Sequence, residues 1–468
     1  MRKWFSAAAI VLLCGMPLAA QHEHEHPAPP PQEEQAQEEQ EEHEGHEAAP
    51  QQEDHSQHEM QDQPGMDHVG HEAGHQMPGM FGPYPMSREA SGTAWQPESA
   101  PHPGLHTTRG NWHLMAHGFV NFVYDEQDGP RGDEKAFSQS MLMGMAVRDL
   151  GSGRLGLRAM VSAEPWTIGD EGYPLLLQTG ETADGRTPLI DRQHPHDLFM
   201  ELAASYSLDL GEDSSAFLYL GLPGEPALGP PAFLHRFSGM ENPEAPLGHH
   251  WLDSTHITFG VATLGWVRDS FKLEGSVFTG REPDEKRTDI EEPKMDSWSV
   301  RASWQPTVNW SFQVSHGFLQ SPEQLEPEVD LDRTTASALY NQPLANGNWQ
   351  TTLAWGRNAK SEGDPTDTWL LESAALFAER HTLFGRVERQ ENDELFGHGD
   401  EGGENGHHQG EAFEVGKLSL GYTYDAILTD TWKAGVGLLG SLAFIPEELE
   451  HEYGERPVSW MAFLRMRM

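Results

Sequence analysis

Residues 112–125, WHLMAHGFVNFVYD, alternate between two kinds of side chain with the period of a β-strand. One face is largely apolar and carries Trp112, Leu114, Ala116, Gly118, Val120, Phe122 and Tyr124. The other face carries His113, Met115, His117, Asn121 and Asp125. At about 3.3 Å per residue, a tilted strand of this length matches the apolar band of a membrane barrel. We expect the apolar face to contact lipid and the other face to line a lumen.

Similar segments recur from residue 110 to residue 468, and short turns alternate with longer loops between them. This alternation is typical of outer-membrane barrels, in which the short turns are periplasmic. Eight loops and seven turns predict an all-β fold, a transmembrane antiparallel β-barrel of about 16 strands with a range of roughly 14 to 18. The last segment, from Val458 to Met468, alternates like a barrel-assembly signal. Outer-membrane lipid and the barrel-assembly machinery are therefore expected partners.

The start of the chain has the features of a secretory signal. Arg2 and Lys3 precede an apolar run from Trp4 to Leu13, which is shorter than the roughly 20 residues of a membrane helix. We expect cleavage after Ala20, so that residues 1–20 are the signal peptide. The single cysteine lies within it, and the mature chain would offer neither a disulfide nor a thiolate ligand.

The net charge of -44 limits the possible partners. Nucleic acids and anionic substrates would be repelled, and cations would be attracted. Much of the charge lies near the N-terminus, where residues 21–100 contain 18 acidic side chains and one basic side chain, Arg88. Because residues 21–109 are rich in Glu, Gln, His and Pro, we expect them to form a disordered tail on the periplasmic side of the barrel.

The tail also concentrates potential metal ligands. Copper(I) prefers thioether and imidazole, whereas copper(II), zinc and nickel accept imidazole well. We therefore expect copper first, with zinc or nickel as alternatives, and no organic cofactor. The expected tail ligands are His22, His24, His26, His43, His46, His55, His58, Met60, Met66, His68, His71, His75, Met77 and Met80.

The sequence Met66-Asp67-His68 within this tail resembles a unit of the copper resistance protein B family. Members of that family are exported barrels that follow a Met- and His-rich leader. The resemblance concerns the layout of about the first hundred residues. It implies an outer-membrane location and a role in copper resistance, with periplasmic metal efflux components as potential partners, and it transfers no catalytic residue.

Further candidate ligands lie in the predicted barrel. His113, Met115 and His117 share the lumenal face of the first strand, and Met141, Met143 and Met145 repeat the spacing on the next. If the two strands pair, a thioether and imidazole patch lines the lumen. Two long loops, rich in Pro and Gly and expected to fold into the lumen, add His194, His196, His235, His249, His250 and His256. The alternative is that these side chains only pack and form hydrogen bonds.

Three functions are compatible with this pattern. The leading hypothesis is an outer-membrane barrel that binds a soft or borderline metal ion in metal resistance or homeostasis, by sequestration in the tail and by passage through the lumen. The alternative is a general or substrate-specific porin whose His-rich tail is incidental. An enzyme is not expected, because the sequence has no Gly-x-Ser-x-Gly motif.

Overall fold

The computed structural model describes residues 77–396, 410–429 and 431–468. The predicted signal peptide and the tail ligands from His22 to His75 lie outside the described residues. The first ten strands are β1 Leu105–Arg109, β2 Trp112–Glu126, β3 Glu134–Leu150, β4 Gly153–Val161, β5 Tyr173–Thr182, β6 Pro188–Gln193, β7 Phe199–Gly211, β8 Ser214–Gly221, β9 Val261–Arg268 and β10 Phe271–Phe278. They are followed by β11 Ser297–Thr307, β12 Trp310–Leu319, β13 Leu331–Leu344, β14 Gly347–Lys360, β15 Thr366–Phe377, β16 His381–Asn392, β17 Phe413–Leu428, β18 Lys433–Phe444 and β19 Val458–Arg467.

Helices in the described residues are one turn long. The α-helical turns are Glu164–Thr167, His249–Leu252 and Glu450–Tyr453, and the 3-10 turns are Met86–Arg88, Phe233–His235, Ser254–His256 and Glu447–Leu449. In residues 77–396, 410–429 and 431–468, no helix has both the length and the apolar character needed to cross a membrane.

Strands β2–β4 and β7–β19 form a closed antiparallel barrel of sixteen strands. Each strand pairs with the next in this series, and β19 closes the ring on β2, from Trp460 opposite Glu126 to Arg467 opposite Phe119. Strand β1 forms a hairpin with the first residues of β2. Strands β5 and β6 form a separate hairpin within the connection between β4 and β7. The predicted fold class and strand number are confirmed.

Alternate residues of the strands face opposite sides of the wall, as the sequence predicts. Phe122 and Leu142 are 58% and 51% exposed, whereas Met115 and Met143 on the lumenal face are 4% and 3% exposed. Large apolar side chains cover much of the outer surface, and aromatic rings stack there between neighbouring strands, such as Phe271 with Trp304. An apolar outer face and a polar inner face are the arrangement that a bilayer requires of a barrel.

Two chain segments fill much of the lumen, and the connection between β4 and β7, in which residues 173–180 are all buried, adds to them. Every residue from 223 to 260, in the connection between β8 and β9, is buried except Leu234, His235 and Met240. The second segment, residues 77–100, lies before β1. Its Phe81 packs against Phe217 of β8, with ring centres 4.8 Å apart, and Lys272 of β10 lies over the ring of Trp95.

The prediction that the whole of residues 21–109 is disordered is therefore wrong for residues 77–109. Phe81, Tyr84, Met86 and Trp95 are buried in this segment. These four large side chains provide the apolar surface that the rest of the tail lacks. The prediction missed them because it relied on the average composition of residues 21–109. Residues 77–100 belong to the barrel interior, whereas strand β1 is exposed.

Candidate metal centre

Five histidines meet inside the barrel. His194 and His196 follow strand β6, and His249, His250 and His256 end the long connection before β9. All five are buried, and the centres of neighbouring rings are 5.1 to 6.3 Å apart. We call this group the imidazole cluster. The sequence predicted all five as potential ligands, and the structure brings them together from two separate connections.

Three rings of the cluster are held by hydrogen bonds at Nδ1. His196 Nδ1 lies 2.7 Å from a carboxylate oxygen of Glu164, and His249 Nδ1 lies 2.8 Å from a carboxylate oxygen of Asp253. His256 Nδ1 lies 2.8 Å from the backbone oxygen of Asp253. Such partners fix the tautomer and direct Nε2 toward a metal ion in known sites. The Nε2 atoms of His196 and His256 have no hydrogen-bond partner among the described residues.

The spacing of these rings suits a shared ion. The ring of His256 is 5.3 Å from that of His196 and 5.1 Å from that of His249. Imidazole nitrogens bind zinc at about 2.0 to 2.1 Å in tetrahedral sites, which places the ring centres roughly 5 Å apart. His256 is thus spaced like a neighbouring ligand from each of the other two rings. The nitrogens of the three histidines do not all lie within 4.8 Å of one another among the described residues, so the rings would have to turn to hold one ion.

The barrel wall supports the connection between β8 and β9, which carries three of the five histidines. Arg236, which is fully buried, lies 2.7 Å from Asp253 within the same connection and 2.7 Å from Glu372 of strand β15. Asp253 therefore joins the wall, through Arg236, to the ring of His249. This network orients the histidines and compensates the buried carboxylates.

Burial keeps most of the cluster neutral. Burial and the neighbouring imidazoles hold the pKa values of His194 and His256 well below the usual range. Burial also lowers the pKa of His249, despite the hydrogen bond to Asp253. Neutral imidazole is the form that binds metal ions.

His250 differs from its neighbours. Burial lowers its pKa, but the carboxylate of Glu282 has the opposite effect, and the resulting pKa is about 9. His250, Glu282 and Glu323 also bring one ligand atom each within 4.8 Å of one another. This trio adds oxygen ligands at the edge of the imidazole cluster, which harder divalent ions prefer.

A second group of potential ligands lies along strands β1–β3 and contains thioethers. We call it the thioether–imidazole patch, and its members are Met77, His102, His106, Met115, His117, Met143 and His235. His117 Nε2 is 3.1 Å from the sulfur of Met143, and the rings of His117 and His235 are 5.8 Å apart. His113, also predicted as a ligand, instead contacts Thr108, with 3.3 Å between Nδ1 and the hydroxyl oxygen.

The sequence did not identify the residues that orient the cluster. Glu164 is 32 residues from His196, and nothing in their local pattern indicates that they meet. The pair His249 and Asp253 is different, because the four-residue spacing within one helical turn was visible in the sequence. Of the predicted tail ligands, Met77 contacts His106, and Met80 is buried in the apolar cluster against the wall.

Comparison with solved structures finds proteins whose strands are arranged similarly to those of this chain. OmpF of Salmonella typhi in complex with daunomycin has a TM-score of 0.46 and 10% identity, over 78% of this chain and 100% of that chain. OprB of Pseudomonas putida has a TM-score of 0.46 and 11% identity, over 76% and 94%. An anion-selective porin from Comamonas acidovorans has a TM-score of 0.43 and 13% identity, over 76% and 100%.

With TM-scores below 0.5, these likenesses carry no information about the function of this chain. No family model matches the sequence, and no curated protein matches it. The resemblance of the tail to the copper resistance protein B family thus stays an expectation from the sequence.

Proposed function

We propose that the chain is an outer-membrane barrel that binds a metal ion in its lumen, copper first and zinc or nickel as alternatives, as part of metal resistance or homeostasis. The apolar outer face of the sixteen strands supports the membrane location. In this proposal the tail lies in the periplasm and collects the ion, and the lumen binds it. Periplasmic metal efflux components are the proposed source of the ion.

The single observation that carries the proposal is the orientation of the imidazole cluster. His196, His249 and His256 each have Nδ1 held by a carboxylate or carbonyl oxygen, which leaves Nε2 as the nitrogen available to a metal ion. Buried polar atoms are normally paired, so unpartnered Nε2 atoms at His196 and His256 need an explanation. A bound cation would supply the missing partner.

Copper is preferred over zinc and nickel because of the neighbouring thioethers. Imidazole accepts all three ions, whereas methionine sulfur selects copper(I) among them. The thioether–imidazole patch reaches the long connection at His235, whose ring approaches that of His117. A protein that handles copper in both oxidation states would use both types of ligand.

The alternative is a porin that passes solutes through the lumen, and the sixteen-stranded architecture favours it. The filling of the lumen by residues 77–100 and 223–260 is evidence against a wide open channel. We expect the mature protein in a planar bilayer to show little ion conductance. A large, steady conductance per barrel would favour the porin.

Metal binding by the mature chain tests the proposal. The comparison is between wild type and a variant with His196→Gln, His249→Gln and His256→Gln, using cobalt(II) and zinc(II) as probes. Because the tail histidines are present in both proteins, the difference reports the lumen. We expect the stoichiometry to fall by about one ion per chain, together with the visible absorption of a low-coordinate cobalt(II) site.

Two variants control this experiment. His381→Gln changes a histidine that lies on the outer face beside Phe377 and Tyr422, and we expect wild-type binding. His196→Gln alone weakens the site with a smaller disturbance of the lumen, and retention of the heat-modified gel mobility shows that each barrel has folded. Equal stoichiometry and affinity in all four proteins would contradict a lumenal metal site.

A further inference from the structure

Sulfur and imidazole nitrogen meet twice in the thioether–imidazole patch. His106 Nδ1 is 3.1 Å from the sulfur of Met77, and His117 Nε2 is 3.1 Å from the sulfur of Met143. Each pair has a second imidazole beside it. The ring of His102 is 6.0 Å from that of His106, and the ring of His235 is 5.8 Å from that of His117.

The two groups therefore have the same donors, two imidazoles and one thioether. The outer group, Met77 with His102 and His106, is the more exposed, and it lies beside strand β1. The inner group, Met143 with His117 and His235, is partly buried in the lumen. His235 contributes an Nε2 atom that is buried without a hydrogen-bond partner among the described residues.

Strand register fixes this arrangement. His106 of β1 lies directly opposite Met115 of β2, which lies opposite Met145 of β3. Two residues further along β2, His117 lies opposite Met143 of β3. Cross-strand partners share a face of the sheet, so these side chains form two adjacent rows on the lumenal wall. Four of the seven members are therefore held on paired strands, and Met115 lies between the two groups.

The chemical nature of the donor atoms determines which ion charge the patch favours. Thioether sulfur and imidazole nitrogen are soft or borderline donors, which suit copper(I) and its chemical analogue silver(I). In their neutral forms these donors bring no negative charge to offset a buried cation. Burying a cation without charge compensation is costly, and the cost is smaller for a single charge than for a double one. The patch therefore favours a soft monovalent cation over zinc(II) or copper(II).

We infer that the inner and outer groups are two successive binding sites for a soft monovalent cation, copper(I) or silver(I), which lead from the β1–β2 hairpin into the lumen. The inference deepens the proposed function by adding a second type of metal site, and it can fail separately. The competing explanation is that each imidazole only donates an N–H to sulfur, which is a weak acceptor.

The test follows the methyl groups of methionine in the mature full-length chain, labelled with carbon-13 and held in detergent micelles. Silver(I) is the probe, because it is soft, monovalent and does not change oxidation state under these conditions. We expect the methyl resonances of Met77 and Met143 to shift on titration, each assigned by its Met→Leu variant. Tail methionines give separate resonances and do not confuse the result.

The decisive comparison is Met143→Leu against Met200→Leu. Met200 is as deeply buried in the same apolar cluster, so its replacement controls for packing. We expect Met143→Leu to weaken silver(I) binding at the inner site at least tenfold and to leave the Met77 shift intact, while Met200→Leu changes neither. Met77→Leu should weaken silver(I) binding at the outer site and leave the Met143 shift intact. Met77 belongs to residues 77–100, which lie in the lumen, rather than to the barrel wall.

Two outcomes would overturn the inference. Unshifted Met77 and Met143 resonances at saturating silver(I) would show that the patch is only packed. Equal affinity in Met143→Leu and Met200→Leu would show that the thioether is not a ligand. If silver(I) binds as expected while zinc(II) binding is insensitive to the histidine variants, the imidazole-cluster proposal fails and this inference stands.

Discussion

The imidazole cluster and the thioether–imidazole patch differ in how their buried potential metal ligands are held in place. The cluster is carried by loops, and carboxylates such as Glu164 and Asp253 hold its rings. The patch is carried mainly by paired strands, and its donors contact one another directly. The comparison teaches that the way the ligands are held also determines the charge around the ion. Where carboxylates hold the rings, the site suits a divalent ion. Where all donors are neutral, the site suits a monovalent ion.

The largest expected effect distinguishes loop-carried from strand-carried ligands. Arg236→Met leaves the buried carboxylate of Asp253 without its arginine partner and removes one of the two arginine partners of Glu372. Breaking a buried ion pair in this way costs about 3 to 5 kcal/mol. We expect a lower midpoint of urea unfolding and loss of zinc(II) binding, with silver(I) binding retained at the outer group, which does not include His235, the chain neighbour of Arg236.

Arg357→Met is the matched control for this variant. Arg357 pairs with Asp367 at an exposed position of the wall, and we expect its replacement to leave the unfolding midpoint nearly unchanged. If Arg236→Met unfolds at the same urea concentration as Arg357→Met, the loop is not held by this network.

A smaller effect is expected from the group that orients His196. Glu164→Gln keeps the size of the side chain and removes its charge. Changes to such outer partners typically weaken metal binding 10- to 100-fold. We expect zinc(II) affinity to fall within that range by competition with a chromophoric chelator, and silver(I) affinity to stay as in wild type. Glu98→Gln, which alters an ion pair with Arg88 outside the imidazole cluster, is the control for zinc(II) binding. Parallel losses for both metals would argue against two separate sites.

The smallest expected effect concerns packing in the patch. Met115→Leu and Met145→Leu conserve volume on the lumenal face, and such exchanges usually cost less than about 1.5 kcal/mol. We expect urea unfolding close to wild type. A much larger loss would show that the thioethers are present for their shape, which would weaken the argument for ligands.

The strand-carried patch was the easier of the two to predict. A period of two places His117 and Met115 on one face of β2, and hairpin pairing with β3 brings Met143 opposite His117. His102 and His106 were missed because they belong to a segment that was expected to be disordered. Met77 was predicted as a tail ligand, yet its contact with His106 depends on the path of residues 77–100 through the lumen.

The loop-carried cluster could be predicted only as a list of residues. His194 and His196 lie in one connection and His249, His250 and His256 in another, and the sequence gives no distance between the two. Loop conformation depends on tertiary contacts such as Arg236 with Glu372, which joins residues 136 positions apart. Glu282 and Glu323, in two further connections, were not identified for the same reason.

Anomalous X-ray scattering from crystals of the mature protein, loaded with zinc(II) and measured on both sides of the zinc absorption edge, tests the central claim most directly. The account predicts an anomalous peak among His196, His249 and His256, at about 2.0 to 2.1 Å from their Nε2 atoms. Peaks found elsewhere, with none at the imidazole cluster, would contradict it.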